Sequence, residues 1–438
     1  MTSHHPELID RVHSQRDLQP ALYGRLDFDT PPFRFTVDPA VESALPSWVA
    51  DRAPYLADER LVELMRTATM LGDVVADPYA SLVETYGVPG LIRMLKTACR
   101  DGIDAVPDAP AELKDFIAVM ETVPEWVDMG LVEQGARASR TAAAFLSPFV
   151  TRGAFLGTFI NTYAALPMAV TGALSGRRAA VRVNETTSFF AVTTLPGALD
   201  RHGPGLEAAA MVRLMHSMVR VNALQRGRNW DAGVYGMPIP QVDQMPAGMI
   251  NMYLIATMAR RQGRTEFTRR ERAVLEFTRY RAYLLGLPEE LLPTTPQGVV
   301  DVFHARAATL RDDFTDEISG ELVRSTMNAY LRPGHSRFDR TADSVERSVS
   351  KFAFVRAFCN GDEAKAATMS VTMTVGDRVR VALAGPFIMG RFILIARAYR
   401  RPALRALCDR YTIRTLHKRL ATYGVPEFTT DAKHYPYR

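Results

Sequence analysis

Residues 209–220 read AAMVRLMHSMVR, a helix-forming run of alanine, methionine, valine and leucine that carries one imidazole, His216. On a helical wheel, Val212, Val219 and Ala223 fall within about 60° of it on one side, and Arg213 and Arg220 on the other. His216 therefore sits where an apolar face meets a basic one. A buried imidazole must be hydrogen-bonded or act as a ligand. On this stretch alone both readings stay open: a core histidine satisfied by a distant partner, or a metal ligand. One histidine cannot build a non-haem metal site without further donors. It suffices for a haem iron, because the porphyrin supplies the other four nitrogens. A porphyrin also needs an apolar slot and cations for its propionates. Arg182, Arg213 and Arg220 are candidate cations. Residues 142–174, in which Arg152 is the only charged residue, offer the slot. A helix pair of that composition is buried in a core, around an apolar ligand, or against lipid.

The elements that must hold these residues are helical. The run 58–76 has apolar residues at i, i+3 and i+4 with Asp58 as a cap, and 87–102 is a second helix closed by Gly102. The stretch 108–124 opens with Asp108, has Pro110 in its first turn and stops before Pro124. Thr295 caps a further helix with Pro296 at its first position. Residues 1–44 read as an irregular arm with one short strand at FRFTV (33–37), and MSVTMTVG (369–376) as a second strand. LRPGHSRFDRTADS (331–344) marks a linker. The expected organisation is a 1–44 arm, a 45–330 helical catalytic domain, a 331–345 linker and a 346–438 basic helical region. The fold class is mainly α, a helical bundle.

Composition removes several function classes. The chain has 438 residues and three widely spaced cysteines, Cys99, Cys359 and Cys408, which excludes a disulfide framework and a cysteine zinc site. It lacks a phosphate-binding glycine loop with Lys and Ser/Thr, a G-x-G-x-x-G turn, H-E-x-x-H, C-x-x-C and G-x-S-x-G. The polar N-terminus has no apolar core of a signal sequence. The longest candidate for a spanning segment, 381–396, is short and interrupted by Arg391, so no spanning helix is expected. These features give a cytoplasmic expectation, with peripheral membrane attachment as its variant. Between 391 and 420 lie eight arginines and one lysine against one aspartate, more positive than the whole-chain net charge of +5. Arginines alternating with apolar clusters read as a solvated helix face or as an interfacial helix for anionic lipid. No recognition motif accompanies the charge, so nucleic acid is not an expected partner.

Five segments in order, PEWVD (124–128), TGALSGRRAAVRVNETTSFF (171–190), MVRLMHSMVR (211–220), W…GMPIPQVDQM (230–245) and YLLGLPEELLP (283–293), resemble the latex-clearing rubber oxygenases. That family includes the membrane-associated oxygenase of mycophenolic acid biosynthesis. The resemblance covers residues 120–300. It implies an all-α fold with a globin-like core and one b-type haem, its iron held by the histidine of R-x-x-H, here His216 after Arg213. It also implies an arginine and a threonine four residues apart lining the haem pocket, matched by Arg182 and Thr186. Glu185 stands where the family has a lysine, and the preceding helix, FLGTFINTYAALPMAV, lacks the family's acid. These departures argue against rubber as the substrate. Glu185 is either a proton acceptor or iron ligand, or a partner for Arg182 three residues earlier.

What the resemblance implies is O2-dependent oxidative cleavage or oxygenation of an apolar, unsaturated, isoprenoid- or lipid-like molecule. Dioxygen and that substrate are the small-molecule partners, and no oligomeric state is assigned. His216 bonds iron as neutral imidazole, so its other nitrogen is expected to donate to a carbonyl or carboxylate elsewhere in the chain. The competing class is a non-enzymatic membrane-surface or scaffold protein that retains the fold, with or without haem.

Overall fold

The computed structural model describes residues 3–170, 177–226 and 230–423. The chain divides into two compact units, one of residues 1–135 and 199–313, the other of 136–198 and 314–438. Both are helical. Among the described residues the only β pairing is two isolated bridges, Phe35 with Leu310 and Ser43 with Arg311. The strand expected at 33–37 is thus a single bridge. Most of the expected irregular arm before it is occupied by the Pro6–Leu18 and Pro20–Tyr23 helices.

In the first unit the Pro204–Val221 helix is central, with Leu206, Ala209, Ala210, Met211 and Leu214 all buried. It packs on the Ala76–Ser81, Val83–Asp101 and Arg269–Leu284 helices. Gln241–Arg261 lies against Arg269–Leu284 and Pro296–Thr309. Several ends follow the sequence. The Asp58 carboxylate accepts from the Leu61 amide, Thr295 Oγ1 accepts from Gly298, and Gly102 ends its helix at φ +93°. One run does not hold. The Glu59–Ala68 helix stops at Thr69, and the chain turns through residues 70–75 before Ala76–Ser81 begins. Apolar periodicity continued across that turn because Leu71 is itself a core residue.

In the second unit Ser147–Leu156 crosses Arg337–Phe358 over a core of Leu156, Phe159, Val323, Phe354 and Val355. Arg152, the lone charge of the apolar stretch, is fully buried. It donates to Asp343 Oδ1 at 2.5 Å and to the Ala329 carbonyl at 2.9 Å. Its partner falls within the segment expected as a linker. There Ser336 and Asp339 form a capping box, and the Arg337–Phe358 helix starts at once. Proline and glycine at 333–334 mark the approach to that cap. At 369–376 the chain likewise forms no strand. Thr374 and Asp377 make a second capping box for Val375–Ala398. Alternation in MSVTMTVG is too short to outweigh it.

Val375–Ala398 is the one helix among the described residues long and apolar enough to cross a membrane, by length and composition alone. The helix starts before the apolar stretch 381–396 and includes Arg391. It packs on Arg337–Phe358, yet Leu383 is 77% and Phe387 75% exposed, so one apolar face is open.

The crossing of Ser147–Leu156 over its neighbour depends on a glycine. A β-carbon at Gly153 meets the Ser350 carbonyl oxygen, a backbone atom that cannot swing aside. Alanine gains about 1 kcal/mol of helix propensity, but overpacking costs about 1–3 kcal/mol. Gly153→Ala is expected to lower the denaturant midpoint; an unchanged or raised midpoint contradicts this packing.

Candidate functional site

The helix that carries His216 is fixed by charge as well as packing. Arg213 and Arg220 lie seven residues apart, two turns, on one buried face. Asp73 and Asp77 lie one turn apart on the segment opposite. Arg213 grips Asp73 with Nε at 2.6 Å and Nη2 at 2.9 Å, and its guanidinium also lies over the Phe116 ring. Arg220 donates to Asp77 at 2.6 Å and to the Pro238 and Ile239 carbonyls. Asp77 further accepts from the Tyr23 hydroxyl and the Asp73 amide. These pairs are almost free of solvent, so each ion is compensated by its partner and by added hydrogen bonds.

Two glycines permit the close approach. Gly286, at φ +95°, lies where a β-carbon would sit 2.9 Å from Asp73 Oδ2 and 3.0 Å from Gln241 Nε2. At Gly72 a β-carbon would collide with the Tyr23 hydroxyl. The motif LGLP therefore closes over the Arg213–Asp73 pair.

His216 itself is half-buried, and its Nδ1 lies 2.9 Å from Gln244 Oε1. Gln244 Nε2 donates to Gln241 Oε1 at 2.8 Å, and Gln241 Nε2 donates to the Gly72 carbonyl at 3.1 Å. The expected acceptor for the imidazole is thus the amide carbonyl of Gln244, from the segment GMPIPQVDQM. Asp243 beside it is buried between Arg34 and Arg306, at 2.8 and 2.7 Å. Burial pushes its carboxyl up, but the two guanidinium groups prevail and hold it below the usual carboxylate range.

The other expected residues belong to the second unit, on the Arg177–Val192 helix. Arg182 Nη1 donates to Glu185 Oε2 at 3.1 Å, so the i,i+3 pairing is formed. Glu185 is buried and Thr186 half-buried one turn beyond Arg182. On the same helix Asn184 Oδ1 and Ser188 Oγ are buried without a hydrogen-bond partner among the described residues. The TGALSG part of the motif, 171–176, lies outside the described residues. The structure thus joins His216 to Gln244 and Arg182 to Glu185. It commits Arg213 and Arg220, expected as propionate cations, to buried carboxylates. Their part is to anchor the helix.

The residues fit a haem better than any multidentate metal site. Among the described residues no cluster of three His, Cys, Asp or Glu side chains stands ready for a metal ion. An imidazole whose Nδ1 donates to an amide oxygen carries its lone pair on Nε2, the form that bonds an iron held by a macrocycle.

Comparison with known proteins gives the family. The model of the family "ER-bound oxygenase mpaB/B'/Rubber oxygenase, catalytic domain" matches residues 149–438, and the chain belongs to that family. The matched range includes residues 331–345 and the C-terminal region. The rubber oxygenase of Streptomyces sp. (strain K30) is 25% identical over 231 residues, 51% of this chain and 55% of that protein. The matched segment thus spans about half the length of that curated relative. The solved structure of latex clearing protein in its closed state superposes with a TM-score of 0.58. It covers 82% of this chain and 92% of that one at 20% identity, which shows a shared fold.

Asp73 gives a pH-dependent test of the anchor. Burial raises its carboxyl, but Arg213 and its hydrogen bonds prevail, so the folded value lies below the ordinary one. A depressed value contributes stability above the unfolded pKa of about 3.9, lost as pH falls through the folded value. Asp73→Asn is expected to cost about 3–5 kcal/mol at neutral pH by leaving Arg213 without its counter-charge. It should also remove part of the acid-induced loss seen in the unmutated protein. Urea titrations across the acid range measure both, and equal acid sensitivity in the two proteins contradicts the assignment.

Proposed function

We propose that this protein is a haem b-dependent oxygenase. It acts on an apolar, unsaturated, isoprenoid- or lipid-like molecule by O2-dependent cleavage or oxygenation of a C=C bond. One observation carries the reading: His216, in the R-x-x-H of an oxygenase family, has its Nδ1 on an amide carbonyl. Haem, when bound, supplies the iron at which dioxygen is activated. His216 Nε2 is the protein's bond to it. Arg182 and Thr186, one turn apart, are the proposed donors to dioxygen, stabilising negative charge that develops as its O–O bond weakens. Glu185 pairs with Arg182 and holds that guanidinium in place; as a carboxylate it is also the proposed acceptor for a substrate proton. Arg213 and Arg220 serve by holding the His216 helix on Asp73 and Asp77.

An apolar substrate partitions into lipid, and the second unit supports docking on an anionic membrane surface. The open apolar face of Val375–Ala398 precedes the Pro402–Tyr423 helix, whose Arg405, Arg410, Arg414 and Lys418 are exposed. Apolar burial and attraction to anionic headgroups act together in such interfacial helices.

Two measurements test these readings. The purified full chain supplied with haem should show a Soret band and one haem per chain, and His216→Ala should lose both. A preparation that stays colourless after reconstitution removes the oxygenase reading in favour of a non-enzymatic scaffold. Sedimentation with phosphatidylserine-containing vesicles should exceed that with phosphatidylcholine alone, fall with salt, and drop in Leu383→Asp/Phe387→Asp. Equal sedimentation with both vesicle types contradicts membrane docking.

A further inference from the structure

We propose that Gln241 and Gln244 form a positioning relay that fixes His216 as its Nδ1–H tautomer. The relay thereby directs the lone pair to Nε2. Its starting point is a group with a single possible role. The Gly72 carbonyl can only accept, so the Gln241 amide must turn its Nε2 toward it, at 3.1 Å. That leaves Gln241 Oε1 facing Gln244, which must answer with its own Nε2, at 2.8 Å. Gln244 Oε1 then faces the imidazole at 2.9 Å, and only an N–H satisfies it. Each step follows from the donor and acceptor inventory of a carboxamide. Reversing either amide sets two N–H groups or two oxygens against each other in a buried site.

The root of the relay does not drift. The Gly72 backbone N–H donates to Gln15 Oε1 at 2.7 Å, and the Gln241 backbone N–H donates to the Leu71 carbonyl at 3.1 Å. The adjacent Asp73 is gripped by Arg213, three residues before His216 on the same helix. Both ends of the relay are therefore tied to one short segment. Glutamine suits this task because it is neutral: it orients the ring without placing a full charge beside it. A carboxylate here also keeps the Nδ1 proton but makes the ring more basic, so the amide sets the strength of the ligand as well as its direction. Free histidine side chains in water favour the other tautomer, with the proton on Nε2. An Nδ1–H form in the folded protein is thus a departure that the relay must cause.

The relay is a property of the chain itself. Its consequence for the cofactor rests on the proposed haem site, and the experiment separates the two. In 15N-histidine-labelled full chain prepared without haem, long-range 1H–15N correlations report which ring nitrogen carries the proton. His216 should appear as Nδ1–H. Gln244→Glu should keep that signature, because a carboxylate also accepts. Gln244→Leu should shift the ring toward Nε2–H, and Gln241→Leu should give a mixture because the Gln244 amide is then free to turn over. With haem supplied, affinity should fall about 10–100-fold in Gln244→Leu and be retained in Gln244→Glu. The unmutated protein as Nε2–H overturns the relay even if a variant fails to fold, and so does an unchanged tautomer in folded Gln244→Leu. The expected tautomers with no haem uptake support the relay and remove the oxygenase reading.

Discussion

Two carboxylates on one turn, Asp73 and Asp77, hold the rest of the site together. They sit without solvent opposite Arg213 and Arg220, one carboxylate to each guanidinium. Removing either side leaves an uncompensated buried charge, so the segment 71–77 and the His216 helix are placed as a unit. The same segment offers the Leu71 and Gly72 carbonyls that root Gln241, and through Gln244 the imidazole. Gly286 lies close enough to this centre that no larger residue fits. Three sequence segments that look unrelated, R-x-x-H, PQVDQM and LGLP, therefore meet at one short turn.

That convergence explains which features could be read from the chain. Caps at Asp58 and Thr295 were legible because capping is local, a side chain and an amide three residues away, and Gly102 because a glycine at positive φ ends a helix on its own backbone. The mainly helical class was legible for the same reason. The turn after Ala68 was not, because Leu71 continues the apolar period while the backbone leaves the helix. Nor was Asp343 in the apparent linker. Glycine and proline at 333–334 signal a break, but only the long-range pair with Arg152 shows how firmly the next helix is seated. Arg213 and Arg220 were visible as cations beside His216. Their partners, over a hundred residues away, were not. Gln241 and Gln244 carried no mark, since a neutral amide in a helix has no preferred reading until its neighbours are known.

The division of labour within the molecule follows from these placements. One unit carries the imidazole on a helix locked by ion pairs, with an amide relay giving it direction. The other carries Arg182, Glu185 and Thr186 on one helix, together with the open apolar face and the basic helix that follows it. Family membership rests on residues 149–438 and so covers the whole second set and the His216 helix. Glu185 has a physical reading in the pair itself: its carboxylate neutralises Arg182 locally.

The central claim is that His216 is the protein's bond to the haem. It is tested most directly by removing the ring and returning it as a free molecule. In His216→Gly, loaded with haem, the ferric electron paramagnetic resonance spectrum should lose its imidazole signature, and added imidazole should restore it at the vacated position. A His216→Gly protein that keeps the unmutated spectrum without imidazole contradicts the account, because some other residue then holds the iron.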